Sequence, residues 1–283
     1  MFSSYKVKKS ITYSTPLKRL NQPFGSCVVC TSNNSFYVLV SDGLLQFDSN
    51  WNYVNQTYFY NPRSMISIKV DGEVQLFVTN WYSIYIFDKN LNAVNNYIAS
   101  NNEYVEYNGM FYNISSDRLY VCSYYKYRID VFNRQLTLIK SISTYPVNYL
   151  YQISESNNIL YISTRYYNVI LVMENETITR QFTIPCSSSL LVDKYGYLAV
   201  FCNSAQTKVH LYSTNGSYMG ISLSNTIPSY FNSISFGTKD EIIVTSYNGI
   251  FVMTMNKTFG AQSKSNLSID VNYSLKSNYY SFF

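Results

Sequence analysis

Charge is scarce in this sequence: Asp, Glu, Lys and Arg make up 13% of its 283 residues, where about 25% is usual. It has a single histidine, ten glycines and six prolines. A three-histidine zinc site is therefore impossible. A Ser-His-Asp triad would have to run through His210, which sits in a strand-like Val-His-Leu-Tyr run with no Gly-x-Ser-x-Gly elbow elsewhere. The low proline and glycine content excludes collagen-like and linker classes. No apolar run reaches the ~18 residues of a membrane span. The five cysteines, Cys27, Cys30, Cys122, Cys186 and Cys202, are odd in number and irregularly spaced, which does not make a disulfide framework. Cys27-Val-Val-Cys30 has no second Cys pair and no nearby His, so all five are expected to be buried structural thiols. After Met-Phe-Ser-Ser-Tyr-Lys-Val-Lys-Lys no apolar segment follows, so no cleavable signal peptide is expected in this chain. Localisation is left open.

Aromatic residues are abundant, at 18% with 31 Tyr and 17 Phe, which excludes a disordered chain. The net charge of +5, from 21 basic and 16 acidic residues, is mild for a dedicated nucleic-acid binder. Asn-x-Ser/Thr sequons begin at Asn33, Asn55, Asn113, Asn175, Asn215, Asn256, Asn266 and Asn272. Random placement of these residue types gives about six such motifs, so their number alone carries no message.

The chain repeats. A short apolar run recurs as Phe36-Tyr-Val38, Leu76-Phe-Val78, Leu119-Tyr-Val121, Leu160-Tyr-Ile162, Leu198-Ala-Val200 and Ile242-Ile-Val244, with third positions 40, 43, 41, 38 and 44 residues apart. A second run follows each at the same period, as in Ile86-Phe87-Asp88 and Val131-Phe132-Asn133. Five of the six prolines, Pro23, Pro62, Pro146, Pro185 and Pro228, share one phase of the repeat. Each unit reads as four strands, a to d. In the second unit these are Ser64 to Val70, Val74 to Thr79, Ile84 to Phe87 and Ala93 to Ile98, with an Asp71-Gly72 hairpin turn between a and b. The b runs are apolar on both faces, as a strand sandwiched between neighbouring sheets requires. Four-stranded units of this period specify an all-β, six-bladed β-propeller of antiparallel blades. Residues 5–13 are expected to supply the missing outer strand of the last blade. The propeller is assigned to residues 5–256, with 257–283 a poorly ordered C-terminal tail.

These units resemble NHL repeats. The likeness lies in a proline, an apolar strand, a polar turn, a second apolar strand and a Phe-Asp or similar pair closing strand c, as in Leu76-Phe-Val-Thr-Asn-Trp-Tyr-Ser-Ile-Tyr-Ile-Phe-Asp88. The family's acidic residue after strand b is Ser, Asn or Thr here. Trp-Asp and Gly-His signatures, typical of WD40 repeats, are missing.

In such a fold the b–c loops and d–a connections open on one face and the a–b and c–d turns on the other. Asp48, Asp88, Glu174, Asp71, Asp117, Asp193 and Asp240 fall in the second set, where Asp is favoured by hydrogen bonding to its own turn. The b–c loops carry Trp81, Tyr82, Tyr124, Tyr125, Lys126, Arg128, Arg165, Tyr166, Tyr167 and Tyr247. Lys18, Arg19 and Arg63 fall in d–a connections of the same face. Tyr, Trp and Arg dominate binding hot spots, so these ten loop residues form the expected ligand-binding rim. No catalytic residue, cofactor or metal is expected. A non-catalytic propeller docking a protein or peptide is the leading reading. Single-stranded RNA on the same face is the alternative, since aromatic stacking with Arg and Lys suits it. A calcium-dependent lactonase-type hydrolase comes third and would use oxygens of Asp42, Asn80, Glu103 and Glu106.

Overall fold

The computed structural model describes residues 4–11, 27–30, 35–40, 42–50, 52–99, 104–186, 189–192, 196–202, 208–224, 231–236, 241–246 and 249–256, with side-chain surroundings between 35 and 220. Strand β1 (Ser4–Ile11) is followed by groups of four. The first is β2 (Cys27–Cys30), β3 (Phe36–Val40), β4 (Gly43–Phe47) and β5 (Tyr53–Tyr58). Next come β6 (Ser64–Val70), β7 (Glu73–Thr79), β8 (Ser83–Asp88) and β9 (Ala93–Ile98). The third group is β10 (Tyr107–Asn113), β11 (Arg118–Ser123), β12 (Arg128–Phe132) and β13 (Leu138–Ser143). The fourth is β14 (Leu150–Ser156), β15 (Ile159–Thr164), β16 (Val169–Glu174) and β17 (Thr177–Thr183). The fifth is β18 (Leu190–Val192), β19 (Leu198–Cys202), β20 (Lys208–Tyr212) and β21 (Tyr218–Ser224). Last are β22 (Phe231–Phe236), β23 (Glu241–Ser246) and β24 (Gly249–Asn256). Each full group is one antiparallel sheet in chain order, and β22–β24 form a further sheet whose outer strand is β1. Ser4 pairs with Asn256 and Ile11 with Ile250, with a register shift between Val7 and Lys9.

The first strands lie side by side in order, β2 against β6, β6 against β10, β10 against β14, β14 against β18 and β18 against β22, while β22 also neighbours β2. Burial falls from there outward: β3 and β19 are buried at every residue, whereas β9 and β13 are exposed at all positions but one. The apolar clusters explain why second strands are apolar on both faces. Leu39 and Leu44 pack with Leu76 and Val78 of the next sheet. Phe77 and Ile86 pack with Val121 and Phe132, Val131 with Ile162 and Leu171, and Ile170 with Leu198 and Val200. Each cluster spans one sheet–sheet interface, so both faces of a sheet are removed from water.

At Gly109 two sheets come close together. A Cβ there would sit 2.4 Å from the Cα of Gln152 and 2.5 Å from the carbonyl oxygen of Tyr151, both on β14. The turn carboxylates behave as short-range caps. Asp48 Oδ1 accepts the amides of Asn50 and Asn52 at 2.8 Å, and Asp88 Oδ1 accepts those of Asn90 and Asn92 at the same distance.

The cysteines require a correction. Cys186 and Cys202 are joined in a disulfide, with Cα atoms 5.4 Å apart. The two positions lie just beyond the hairpin in which Leu190 pairs with Val200, so the fold brings them together despite their separation of 16 residues. Cys122 is a free, buried thiol, and burial pushes its pKa up. The side chains of Cys27 and Cys30 and the expected tail 257–283 lie outside what is described.

Candidate functional site

The loops between second and third strands are held at both ends. In the second, third and fourth groups the loop is tied on one side to the residue that opens the first strand: Arg63 N–H donates to Thr79 O at 2.8 Å, Tyr124 N–H to Glu106 O at 2.9 Å and Arg165 N–H to Tyr149 O at 2.9 Å. On the other side it accepts from the end of the fourth strand, as Ala99 N–H donates to Tyr82 O at 2.8 Å and Ile184 N–H to Asn168 O at 2.8 Å. Glu106 (φ 49°), Tyr127 (φ 50°), Tyr149 (φ 54°) and Asn168 (φ 53°) adopt the left-handed conformation at these junctions. Side chains larger than glycine seldom sit there.

From this frame a chain of aromatic rings runs across three adjacent sheets. Trp81 meets Tyr104 with centroids 5.9 Å apart, and Tyr104 meets Tyr82 at 5.6 Å and Tyr125 at 5.2 Å. Tyr125 contacts Tyr124 at 4.8 Å and Tyr149 at 5.8 Å. Tyr149 reaches Tyr166 at 4.9 Å and Tyr167 at 6.2 Å. Most of these contacts are edge-to-face, the geometry that ring quadrupoles favour. Tyr82, Tyr104, Tyr125, Tyr166 and Tyr167 remain exposed, Tyr166 at 62%.

Cations are set among the rings. The Arg63 guanidinium lies 5.0 Å from the Trp81 ring centroid, and that of Arg165 lies 5.9 Å from both Tyr151 and Tyr166. Between them is Glu106, 5% exposed and 3.2 Å from Arg63. Burial raises its pKa, opposed by the Arg63 and Arg165 charges and by a hydrogen bond with Tyr125. The Nε1 of Trp81 is buried without a hydrogen-bond partner.

Of the expected rim residues, Trp81, Tyr82, Tyr125, Arg165, Tyr166 and Tyr167 are brought together in this belt, and Lys126 is exposed beside it. Tyr124 is a correction. It is only 4% exposed and packs beneath Tyr125 and Tyr149, because its position continues the buried run of β11. Arg128 is a second correction. Its Nε is 2.8 Å from Oδ1 of Asp130, which is fully buried, and the two alternate on one face of β12. The same carboxylate accepts Tyr107 Oη at 3.0 Å and Ser141 Oγ, so this arginine completes an internal network. Tyr247, Lys18 and Arg19 lie outside the described side chains. Sequence reasoning missed Tyr104 and Tyr149, although both fall in d–a connections, which open on the same face as the b–c loops.

Two of the four residues considered for calcium are engaged elsewhere. Asn80 Oδ1 accepts the amides of Tyr82 at 3.1 Å and Ser83 at 2.8 Å, and Glu106 is paired with Arg63. Glu103 lies outside the described residues. Among the described residues no group of three His, Cys, Asp or Glu could hold a metal ion. His210 is buried within β20, its ring 5.9 Å from that of Tyr218. No helix is long and apolar enough to cross a membrane among the described residues.

No family model and no curated protein sequence matches the chain. Solved structures do. The Neurospora crassa Pan2 WD40 domain superposes with a TM-score of 0.67 at 11% identity, over 90% of this chain and 96% of that one. The fold is a β-propeller. A catalytically inactive virginiamycin B lyase from Staphylococcus aureus, crystallised with quinupristin, is similar at a TM-score of 0.63 and 13% identity over 89% of each chain. The WD40 propeller domain of Doa1 matches at 0.61 and 12%, over 89% of this chain and 98% of that one. At these identities the likeness concerns the propeller architecture, which hosts scaffolds and enzymes alike.

Proposed function

We propose that the chain is an NHL-like, six-bladed propeller, closed by β1, that acts as a non-catalytic docking module for a protein or peptide. The blade count and closure rest on the sheets described above and on the pairing of β1 with β24. The NHL character rests on the phase of the prolines and on the strand pattern. The docking role rests on one observation: a belt of aromatic rings from Trp81 to Tyr166, exposed at Tyr82, Tyr104, Tyr125 and Tyr166 and interleaved with Arg63 and Arg165. Rings locked edge-to-face lose little entropy when a partner covers them, and Tyr, Trp and Arg are the residues that anchor interfaces.

The test is a triple variant, Trp81→Ala, Tyr125→Ala and Arg165→Ala, compared with the parent in cross-linked pull-downs from cells that make the protein. The variant must keep the parent's circular dichroism. The expected result is a partner retained by the parent after RNase treatment and lost by the variant. Retention of the same partner by the variant overturns the site. Binding of labelled single-stranded RNA that weakens steeply with salt would replace the protein partner by RNA on this face.

A further inference from the structure

The sequons are unremarkable in number, but among the described residues four of the five lie on one side of the fold. Asn113 ends β10 at its turn to β11, Asn175 lies in the β16–β17 turn, Asn215 in the β20–β21 turn, and Asn256 ends β24. All four belong to the side opposite the aromatic belt. The asparagines near the belt, Asn61, Asn80, Asn108, Asn148 and Asn168, all lack Ser or Thr two residues on. A glycan is bulky and hydrated, so a folded protein tolerates it only where the acceptor faces solvent.

We propose that Asn175 and Asn215 are acceptors for N-linked glycans when the chain enters the secretory pathway, which leaves the propeller sugar-coated on its turn side and bare on its aromatic side. Asn175 and Glu176 are the central residues of a two-residue hairpin, with φ of 48° and 60°, closed by the pairing of Glu174 with Thr177. Asn175 and Thr177 are both exposed at this tip. Asn215 is exposed next to Gly216 (φ 89°), and its Oδ1 accepts the Ser217 amide at 3.1 Å. That bond engages the oxygen and not Nδ2, the atom that is glycosylated. In the transfer, Nδ2 bonds to the anomeric carbon of a lipid-pyrophosphate-linked oligosaccharide. The anomeric C–O bond breaks, the lipid pyrophosphate leaves, and the amide gives up one proton.

Asn55 is the internal contrast. It heads a sequon on β5, yet its Nδ2 donates to the Asn90 carbonyl of the next sheet at 3.0 Å, so a glycan there would cost an inter-sheet hydrogen bond. The second, independent observation is the Cys186–Cys202 disulfide. Disulfides persist in the oxidising compartments through which N-glycosylated chains pass and are rare in the cytosol.

The test sends the full chain through the secretory pathway of a eukaryotic cell behind a cleavable leader. N-glycans are then removed enzymatically in heavy-oxygen water, which marks each former glycan site as a labelled Asp in peptide mass spectra. Label is expected at 175 and 215 and not at 55. Asn175→Gln and Asn215→Gln each remove one glycan step on a gel and together remove two. Thr177→Ala and Ser217→Ala do the same while keeping the asparagine. Unlabelled 175 and 215, in secreted or retained chain alike, overturn the proposal.

Discussion

The guanidinium of Arg63 lies 3.2 Å from the carboxylate of Glu106, and the two residues hold the same place in successive repeats. Arg63 directly precedes β6 and Glu106 directly precedes β10. The repeat therefore supplies one position per sheet where adjacent sheets meet beside the aromatic belt, and here that position is filled by opposite charges. Arg63 continues outward to the Trp81 ring, so the buried acid and the exposed aromatic surface are mechanically joined.

That pair makes stability depend on pH in a definite direction. Burial raises the Glu106 pKa above its unfolded value. Between those two values the folded chain holds a proton that the unfolded chain has released. The Glu106 contribution to stability is thus full at acid pH, falls as pH rises through the window, and is level above it. Arg63→Ala removes a cation that opposes the rise, so the window widens and the fall deepens. At neutral pH this variant is expected to lose about 1–3 kcal/mol, less than a fully buried pair because Arg63 is partly exposed. Glu106→Gln abolishes the pH-dependent component. Urea midpoints of the three proteins from about pH 4 to about pH 8 decide it; parallel curves contradict the assignment.

Among the described residues Asp130 is a second buried acid, bound by Arg128, Tyr107 and Ser141. Asp130→Ala leaves the partly exposed arginine and the buried tyrosine hydroxyl without their acceptor. The expected loss is about 3–5 kcal/mol, and Arg128→Ala is expected to be comparably harmful although its residue begins at a loop. Chemical denaturation measures both. A neutral Arg128→Ala would return this side chain to the solvent-facing rim.

The repeat was legible because three kinds of mark, apolar runs, closing pairs and prolines, share one period. Strands β6 and β9 begin and end where the alternation and the Asp71-Gly72 turn predict. The ring belt was half legible. Loop aromatics could be placed on one face from topology, but whether a loop residue points outward depends on the last residue of the preceding strand, which decides that Tyr124 is buried and Tyr125 is not. Arg128 carried a readable signal, an acid two residues on and hence on the same strand face. Cys186 and Cys202 did not, since β18 is only three residues long and its register with β19 cannot be inferred from so short a run.

Gly109 tests the approach of β10 to β14. Gly109→Ala places a methyl against the backbone of Gln152 and Tyr151, which no rotamer change relieves. Overpacking of this kind costs about 1–3 kcal/mol or more. Gly72→Ala meets nothing within 4 Å but has φ of 87°, so its cost is conformational, about 1 kcal/mol. Thermal melts of the pair should rank Gly109→Ala as the more damaging, and the reverse order would mean that the two sheets do not approach this closely.

Removal of β1 tests whether the first and last parts of the chain depend on one another. Strand β1 covers the outer edge of β24 from Ser4 to Ile11. Without it β24, with Gly-Ile-Phe-Val-Met-Thr-Met-Asn, becomes an unpaired edge, and such edges recruit other chains. Deleting residues 1–11 is therefore expected to lower the melting temperature and to shift the protein toward larger species on size exclusion. Adding back a peptide of residues 1–15 should restore the melting temperature by mass action, whereas a scrambled peptide should not. A truncated chain that stays monomeric and melts with the parent would show that β1 contributes no closing stability.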